Sequence, residues 1–213
     1  MLHLKTIYPE INYLGFEPNS TCTAYVQKLI KINNFKNCTV QNVALSTGVG
    51  ILQLEKDSVT DTCASVISSL RPNYFPDKEQ VLSLDYQSFY LEKNISFVKI
   101  DVEGAEYEVL KGMEKAILRY QPIITCEVLD SHCADAFIFT QERATKLCQM
   151  LKSWNYDIIR LQTESAFIVD YEKIDKIKII QWTQHSYTYN DYIFYPSHQE
   201  NSIIEKLRFI KNK

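Results

Sequence analysis

One ten-residue stretch, residues 97–106, constrains the fold of this chain more than any other. It reads FVKIDVEGAE, which is a short apolar strand, then two carboxylates and a glycine, then the start of a helical pattern. A strand that gives way to a helix within a few residues is typical of α/β proteins with a parallel sheet. Ligands of such sheets bind outside the carboxyl ends of the strands. The acids Asp101 and Glu103 therefore lie where a site is expected.

Strand and helix patterns alternate along most of the chain, which predicts an α/β fold with a mostly parallel sheet. Apolar runs predict strands over 11–16, 38–45, 49–54, 81–84, 95–102, 122–128, 156–161, 166–170, 177–182 and 192–195. Helical spacing predicts helices over 1–9, 20–32, 104–117, 143–154 and 203–210. The turn residues 46–48 favour a hairpin between the strands on either side of them, and residues 56–77 show no period and are expected to form a loop. The last strands lack helices between them, so we expect antiparallel pairing there.

Length and composition indicate one domain and exclude some functions. A chain of 213 residues without repeats or linkers fits a single domain. Its net charge of −3 argues against nucleic-acid binding, which usually needs a basic surplus. No apolar run reaches the roughly 18 residues of a membrane span. The chain has six cysteines, no C-x-x-C pair and no signal peptide at its start, so free thiols in a cytoplasmic protein are expected.

Acidic residues close three of the predicted strands. Glu17 could accept hydrogen bonds from ribose hydroxyls or be a solvated turn residue. Asp101 and Glu103 share one face of an extended strand, where they could take a proton or orient a hydroxyl; they could equally cap the following helix. Glu127 ends the strand 122–127 and would lie beside Asp101 if the two strands are neighbours.

A run of potential metal ligands follows this last strand. It comprises Cys126, Glu127, Asp130, His132, Cys133 and Asp135. Zinc sites usually show tight, paired ligand spacing, whereas this run crosses from a strand end into a loop. We therefore predict no metal site.

Residues 97–112, FVKIDVEGAEYEVLKG, closely resemble the signature of FkbM-type methyltransferases. Three further segments are similar to that family in the right order. Residues 15–19 (GFEPN) resemble its second-strand motif, 42–46 (NVALS) its third-strand segment and 122–127 (PIITCE) its fifth strand.

The resemblance implies a Rossmann-like enzyme that depends on S-adenosyl-L-methionine and methylates a hydroxyl of a sugar, glycan or natural product. Glu17 would hold the ribose of the cofactor, with Asn19 and Ala44 flanking it. Asp101 and Glu103 would line the methyl-transfer site, and Glu127 would face the acceptor. The acceptor is thus a small molecule or glycan; nothing in the sequence indicates an oligomeric state.

The chain departs from the family at its start. The family's sheet begins with a strand and a glycine-rich loop, whereas residues 1–9 here resemble the helix that follows them. The missing strand would be central, between the strands that end at Glu17 and Asp101. We therefore expect residues 1–213 to form an N-terminally truncated methyltransferase domain. The alternative is a non-catalytic remnant that binds a glycan or protein partner.

Overall fold

The computed structural model describes residues 1–89, 94–165 and 167–211. The strands are β1 (Tyr13–Phe16), β2 (Cys38–Gln41), β3 (Ala44–Leu45), β4 (Gly50–Lys56), β5 (Asp77–Leu84), β6 (Phe97–Ile100), β7 (Ile123–Glu127), β8 (Tyr156–Glu164), β9 (Phe167–Ile174) and β10 (Asp191–Pro196). The α-helices are α1 (Leu2–Ile7), α2 (Ser20–Ile32), α3 (Glu106–Gly112), α4 (Glu114–Tyr120), α5 (Phe137–Ser153) and α6 (Glu200–Lys211). Among these described residues, no helix combines the length and the apolar character needed to cross a bilayer.

Within the described residues, the strands form three sheets. The largest has the order β6-β7-β10-β8-β9, with β6 and β7 parallel and the remaining pairs antiparallel. A second sheet has the order β3-β5-β4, and β1 pairs in parallel with β2 in a third. The fold is thus mixed α/β, and the expectation of antiparallel pairing among the last strands is confirmed. The prediction of a mostly parallel sheet was wrong, since antiparallel pairs predominate in the largest sheet of the described residues.

The prediction of one strand over 38–45 that forms a hairpin with the next strand was wrong. The chain bends after β2, where Val43 N donates to Gln41 O at 3.0 Å. The Asn42 side chain donates to the Glu17 carbonyl at 3.0 Å, which holds this bend against the end of β1. β3 and β4 then lie on opposite sides of β5, so they do not pair with each other.

Residues 177–182 were also wrongly predicted as a strand; there is a single bridge, between Gln181 and Ser131. Ile177 and Ile179 are buried, but side chains instead of a neighbouring strand accept the hydrogen bonds of three backbone N–H groups in this segment. Ile177 N donates to Cys148 Sγ, Ile179 N to Gln141 Oε1 and Ile180 N to Asp130 Oδ1. The other predicted strands are present with shifted ends, although Ala166, the first residue of the strand predicted over 166–170, lies outside the described residues.

Helices cover the five-stranded sheet on both faces. The first cluster of buried side chains joins α3, α4 and α5 to the sheet and includes Leu110, Ile117, Ile124 and Phe194. The second lies beneath α6 and includes Ile159, Tyr195 and Leu207. Burying each such side chain stabilises the fold by about 1.5–3 kcal/mol.

β1 shares the first of these clusters, although it belongs to another sheet. Leu14 and Phe16 pack against that cluster, and the ring of Phe16 meets the ring of Tyr86 edge-on at 6.4 Å. In the part of the chain that the structure describes, β1 pairs with β2 alone and β6 with β7 alone. One edge of each strand is therefore without a strand partner there.

Candidate functional site

A tight turn follows β6 and carries the predicted acids. Glu103 and Gly104 both have positive φ, 51° and 105°. Glycine suits this position, because residues with a side chain rarely adopt a φ of 105°, and a Cβ would also lie 1.8 Å from Leu70 Cδ1, which would have to move. Gly104 N donates to Glu106 Oε1 at 2.7 Å, and burial raises the pKa of Glu106 to about 7. The turn thus delivers Asp101 and Glu103 at the carboxyl end of β6.

Glu127 joins these acids. Because β6 and β7 pair in parallel, with Ile100 opposite Cys126, their carboxyl ends meet at one edge of the sheet. Oxygens of Asp101, Glu103 and Glu127 all lie within 4.8 Å of one another. The expected proximity of Glu127 to Asp101 is therefore confirmed.

The three acids have different surroundings. Asp101 pairs with Lys99 at 2.5 Å, and both side chains are well exposed. Glu103 pairs with Arg71 at 2.5 Å, and those side chains are only 12% and 9% exposed. Burial raises the pKa of Glu103, and Arg71 opposes that rise.

Of these three acids, Glu127 has the surroundings that most favour the protonated form. Burial, and then the charges of Asp101, Glu103 and Asp191, raise the pKa of Glu127 to about 8. A hydrogen bond with Asp101 also raises that pKa, which is the behaviour of two carboxyl groups that share a proton. At neutral pH the Asp101–Glu127 pair can therefore hold a proton.

Oxygens this close could also surround a divalent cation, and such cations prefer oxygen ligands. The ligand-rich run from Cys126 to Asp135 does not converge, since across the described residues only Asp101, Glu103 and Glu127 come together at such spacing. That no metal is bound stays a prediction.

The second predicted region lies at the end of β1. Burial raises the pKa of Glu17, and Asn19 N donates to Glu17 Oε1 at 2.7 Å. Among the described residues, the hydrogen bonds of this carboxylate involve Oε1 alone, so Oε2 can accept from a ligand. Ala44 is buried on β3, in a small cluster with Leu54 and Val81 of the neighbouring strands.

A family model, Methyltransferase FkbM domain, matches residues 6–158. The chain belongs to the FkbM methyltransferase family. The fold agrees with this assignment. A methyltransferase FkbM from Methylobacillus flagellatus KT, known from a crystal structure, is similar to this chain with a TM-score of 0.53 at 13% identity. The similarity covers 91% of this chain and 40% of that one, so the chain spans less than half the length of this neighbour. No curated protein matches the chain.

In this FkbM methyltransferase chain, the structure adds residues that sequence reasoning missed. Arg71 reaches Glu103 from the segment 57–76 between β4 and β5. Ser65 Oγ in the same segment donates to Glu103 O at 2.7 Å. Asp61 O accepts from Asn19 Nδ2 at 3.4 Å, and the charge of Asp61 also raises the pKa of Glu103. This segment thus connects the end of β1 with the acids, which no local pattern in the sequence reveals.

Asn19 stabilises the end of β1 and the start of α2 in this FkbM chain, and its contribution to stability can be measured. Asn19 is 1% exposed; its side chain accepts from Thr21 N at 3.0 Å, which caps α2, and donates to Val59 O at 3.1 Å. We expect Asn19→Ala to lower the free energy of unfolding by about 1–2 kcal/mol, because the cap is lost and a carbonyl loses its donor. Urea unfolding measures the change.

The matched control is Asn33→Ala at the other end of α2. Asn33 is exposed and donates to Leu29 O at 2.9 Å, so its loss should cost about 0.5 kcal/mol or less. Equal losses in the two variants would contradict the capping role of Asn19.

Proposed function

We propose that this chain is part of an S-adenosyl-L-methionine-dependent O-methyltransferase whose acceptor is a hydroxyl of a sugar, glycan or natural product. The observation that carries the proposal is the Asp101–Glu127 pair, with the pKa of Glu127 raised to about 8 at the carboxyl ends of two parallel strands. A group with a pKa near the working pH is well suited to take a proton from a hydroxyl. Membership of a methyltransferase family supplies the reaction class. No observation favours the non-catalytic alternative.

The residues at the end of β1 fit the proposed cofactor. Glu17 offers a half-buried carboxylate with a free oxygen, which suits the ribose hydroxyls. Asn19 would hold the backbone of this region in place, since its own polar atoms are already used. Ala44 would form part of the apolar wall beside the cofactor. When bound, the cofactor supplies a methyl group on a sulfonium centre.

The acids would then prepare the acceptor. Transfer requires mainly that the acceptor oxygen be aligned with the methyl group, and holding two reactants in place can supply much of the rate. In our proposal Asp101 and Glu103 line the transfer site, and Asp101 orients the acceptor hydroxyl. Glu127 would take the hydroxyl proton as the acceptor oxygen bonds to the methyl carbon and the carbon–sulfur bond of the cofactor breaks, so that S-adenosylhomocysteine leaves.

We also propose that the sheet is Rossmann-like and that one further strand belongs between β1 and β6. Both strands have an edge without a partner in the described residues, and both pack on one core. Unpaired strand edges next to a core are costly, because buried N–H and C=O groups need partners. A protein that includes the sequence encoded upstream of residue 1 should show slower amide hydrogen exchange in β1 and β6 than residues 1–213 alone. Unchanged exchange would contradict the added strand. The six free thiols support the cytoplasmic location that we propose.

Calorimetric titration with S-adenosyl-L-methionine tests the proposed function, in the protein as its gene encodes it. We expect binding, and we expect Glu17→Ala to weaken it by about 10–100-fold, the loss of a hydrogen bond to a charged group. Glu10→Ala, at an exposed position before β1, is the control and should bind as the wild type does. A folded protein that does not bind the cofactor, or binds it equally well as Glu17→Ala, would contradict the proposal.

A further inference from the structure

Arg71 is a buried cation that has no role in the chemistry proposed above. Its guanidinium donates to Glu103 Oε2 at 2.5 Å and to Cys63 O at 3.3 Å. It also lies over the rings of Tyr74 and Phe75, at 5.9 and 5.8 Å. These contacts fix its position, since an arginine gains attraction from an aromatic face as well as from a carboxylate.

Burying a guanidinium is costly unless it has a charged partner. Here the partner is one of three acids whose oxygens lie within 4.8 Å of one another. Three carboxylates at that spacing repel each other, so at least one of them tends to take up a proton. The ion pair with Arg71 therefore decides which acid stays ionised.

We propose that Arg71 is a positioning residue that gives the three acids different roles: it holds Glu103 as a fixed carboxylate, and it thereby leaves the exchangeable proton to the Asp101–Glu127 pair. The assignment of the proton to methyl transfer rests on the proposed function, whereas the division of charge among the acids does not.

The charges around the cluster agree with this division. Lys99 pairs with Asp101 on the exposed side, and Asp191 lies beside Glu127 on β10. Asp61 and Asp101 are the acids that raise the pKa of Glu103, and Arg71 opposes them. Burial, and then the charge of Arg71, lower the pKa of His132, so this histidine adds little positive charge near neutral pH. Arg71 is therefore the cation that offsets the negative charge at Glu103.

Carbon-13 NMR titration of the glutamate carboxyl groups tests the proposal in the free protein, with neither cofactor nor acceptor. The signals are assigned with Glu103→Gln and Glu127→Gln. In Arg71→Gln we expect the pKa of Glu103 to rise, so that Glu103 takes up a proton at a pH where the wild type is ionised. Arg71→Lys keeps the charge and should bring the pKa of Glu103 back towards the wild-type value. A side chain needed only for packing would give no such rescue.

A second variant keeps the proposal testable if Arg71→Gln does not fold. Glu103→Gln removes a negative charge beside Glu127 and leaves Arg71 in place, so the pKa of Glu127 should fall below about 8. An unchanged pKa of Glu127 in Glu103→Gln would overturn the proposal, as would an unchanged pKa of Glu103 in a folded Arg71→Gln. A failure to bind S-adenosyl-L-methionine would contradict the proposed function but would leave both titration results standing, so the two failures can be told apart.

Discussion

Glu127→Gln should slow methyl transfer by about 10²–10⁴-fold, the usual contribution of a positioned general base. Glutamine has the size of glutamate and can still donate a hydrogen bond to Asp101, but it cannot take a proton from the acceptor. Cofactor affinity should change little, because Glu127 lies at the end of β7 and Glu17 at the end of β1. The measurement is release of S-adenosylhomocysteine with a hydroxyl acceptor found by screening sugars and natural products.

The pH profile gives the same prediction a second test. Burial and the neighbouring acids raise the pKa of Glu127 to about 8, so the ionised form that accepts a proton is present above that pH. The wild-type rate should therefore rise with pH through about 8 and fall about tenfold per unit below it. Glu127→Gln should lose this dependence.

Glu172→Gln is the matched control. Glu172 lies on β9, where it pairs with Arg160 at 2.9 Å on the surface, and surface pairs contribute about 1 kcal/mol at most. Its rate and pH profile should match those of the wild type. If Glu127→Gln kept both as well, Glu127 would not be the base.

The sequence predicted the strand-acid-turn-helix segment well because all of its determinants are local. Apolar residues over 97–100 define β6, and Gly104 permits the turn that follows. The proximity of Glu127 followed from the rule that parallel strands end at the same edge. These parts of the candidate site depend on residues close in the chain or on a simple rule of topology.

The features that were predicted wrongly or missed depend on distant partners. Residues 177–182 have the apolar pattern of a strand, but three of their backbone donors bind side chains of Asp130, Gln141 and Cys148, 29–50 residues away. β4 pairs with β5 instead of with the segment before it, which no residue of the local turn determines. Arg71 reaches Glu103 across 32 residues from a segment without periodicity. Local patterns cannot reveal such partners.

Gly112→Ala should lower the free energy of unfolding by about 3 kcal/mol or more, the upper range for adding a methyl group where there is no room. Gly112 ends α3, and a Cβ there would lie 1.8 Å from Ser46 O and 2.8 Å from Ser46 C. Those atoms are backbone, and Ser46 N is itself tied to Leu84 O at 2.8 Å, so the contact cannot be relieved by turning a side chain. Alanine is a better helix former than glycine by about 1 kcal/mol, which is too little to offset the clash.

Gly48→Ala is the control for this effect, since it makes the same chemical change two residues beyond Ser46. Nothing lies within 4 Å of a Cβ at Gly48, so this variant should be neutral or more stable by about 0.4–1 kcal/mol. Urea unfolding of both variants separates a packing requirement from a general preference for glycine. Because Ser46 directly follows β3, which contains Ala44, displacing it in Gly112→Ala should also disturb the proposed cofactor wall and weaken cofactor binding. Equal stability of the two variants would contradict a packing requirement for glycine where α3 meets the Ser46 carbonyl.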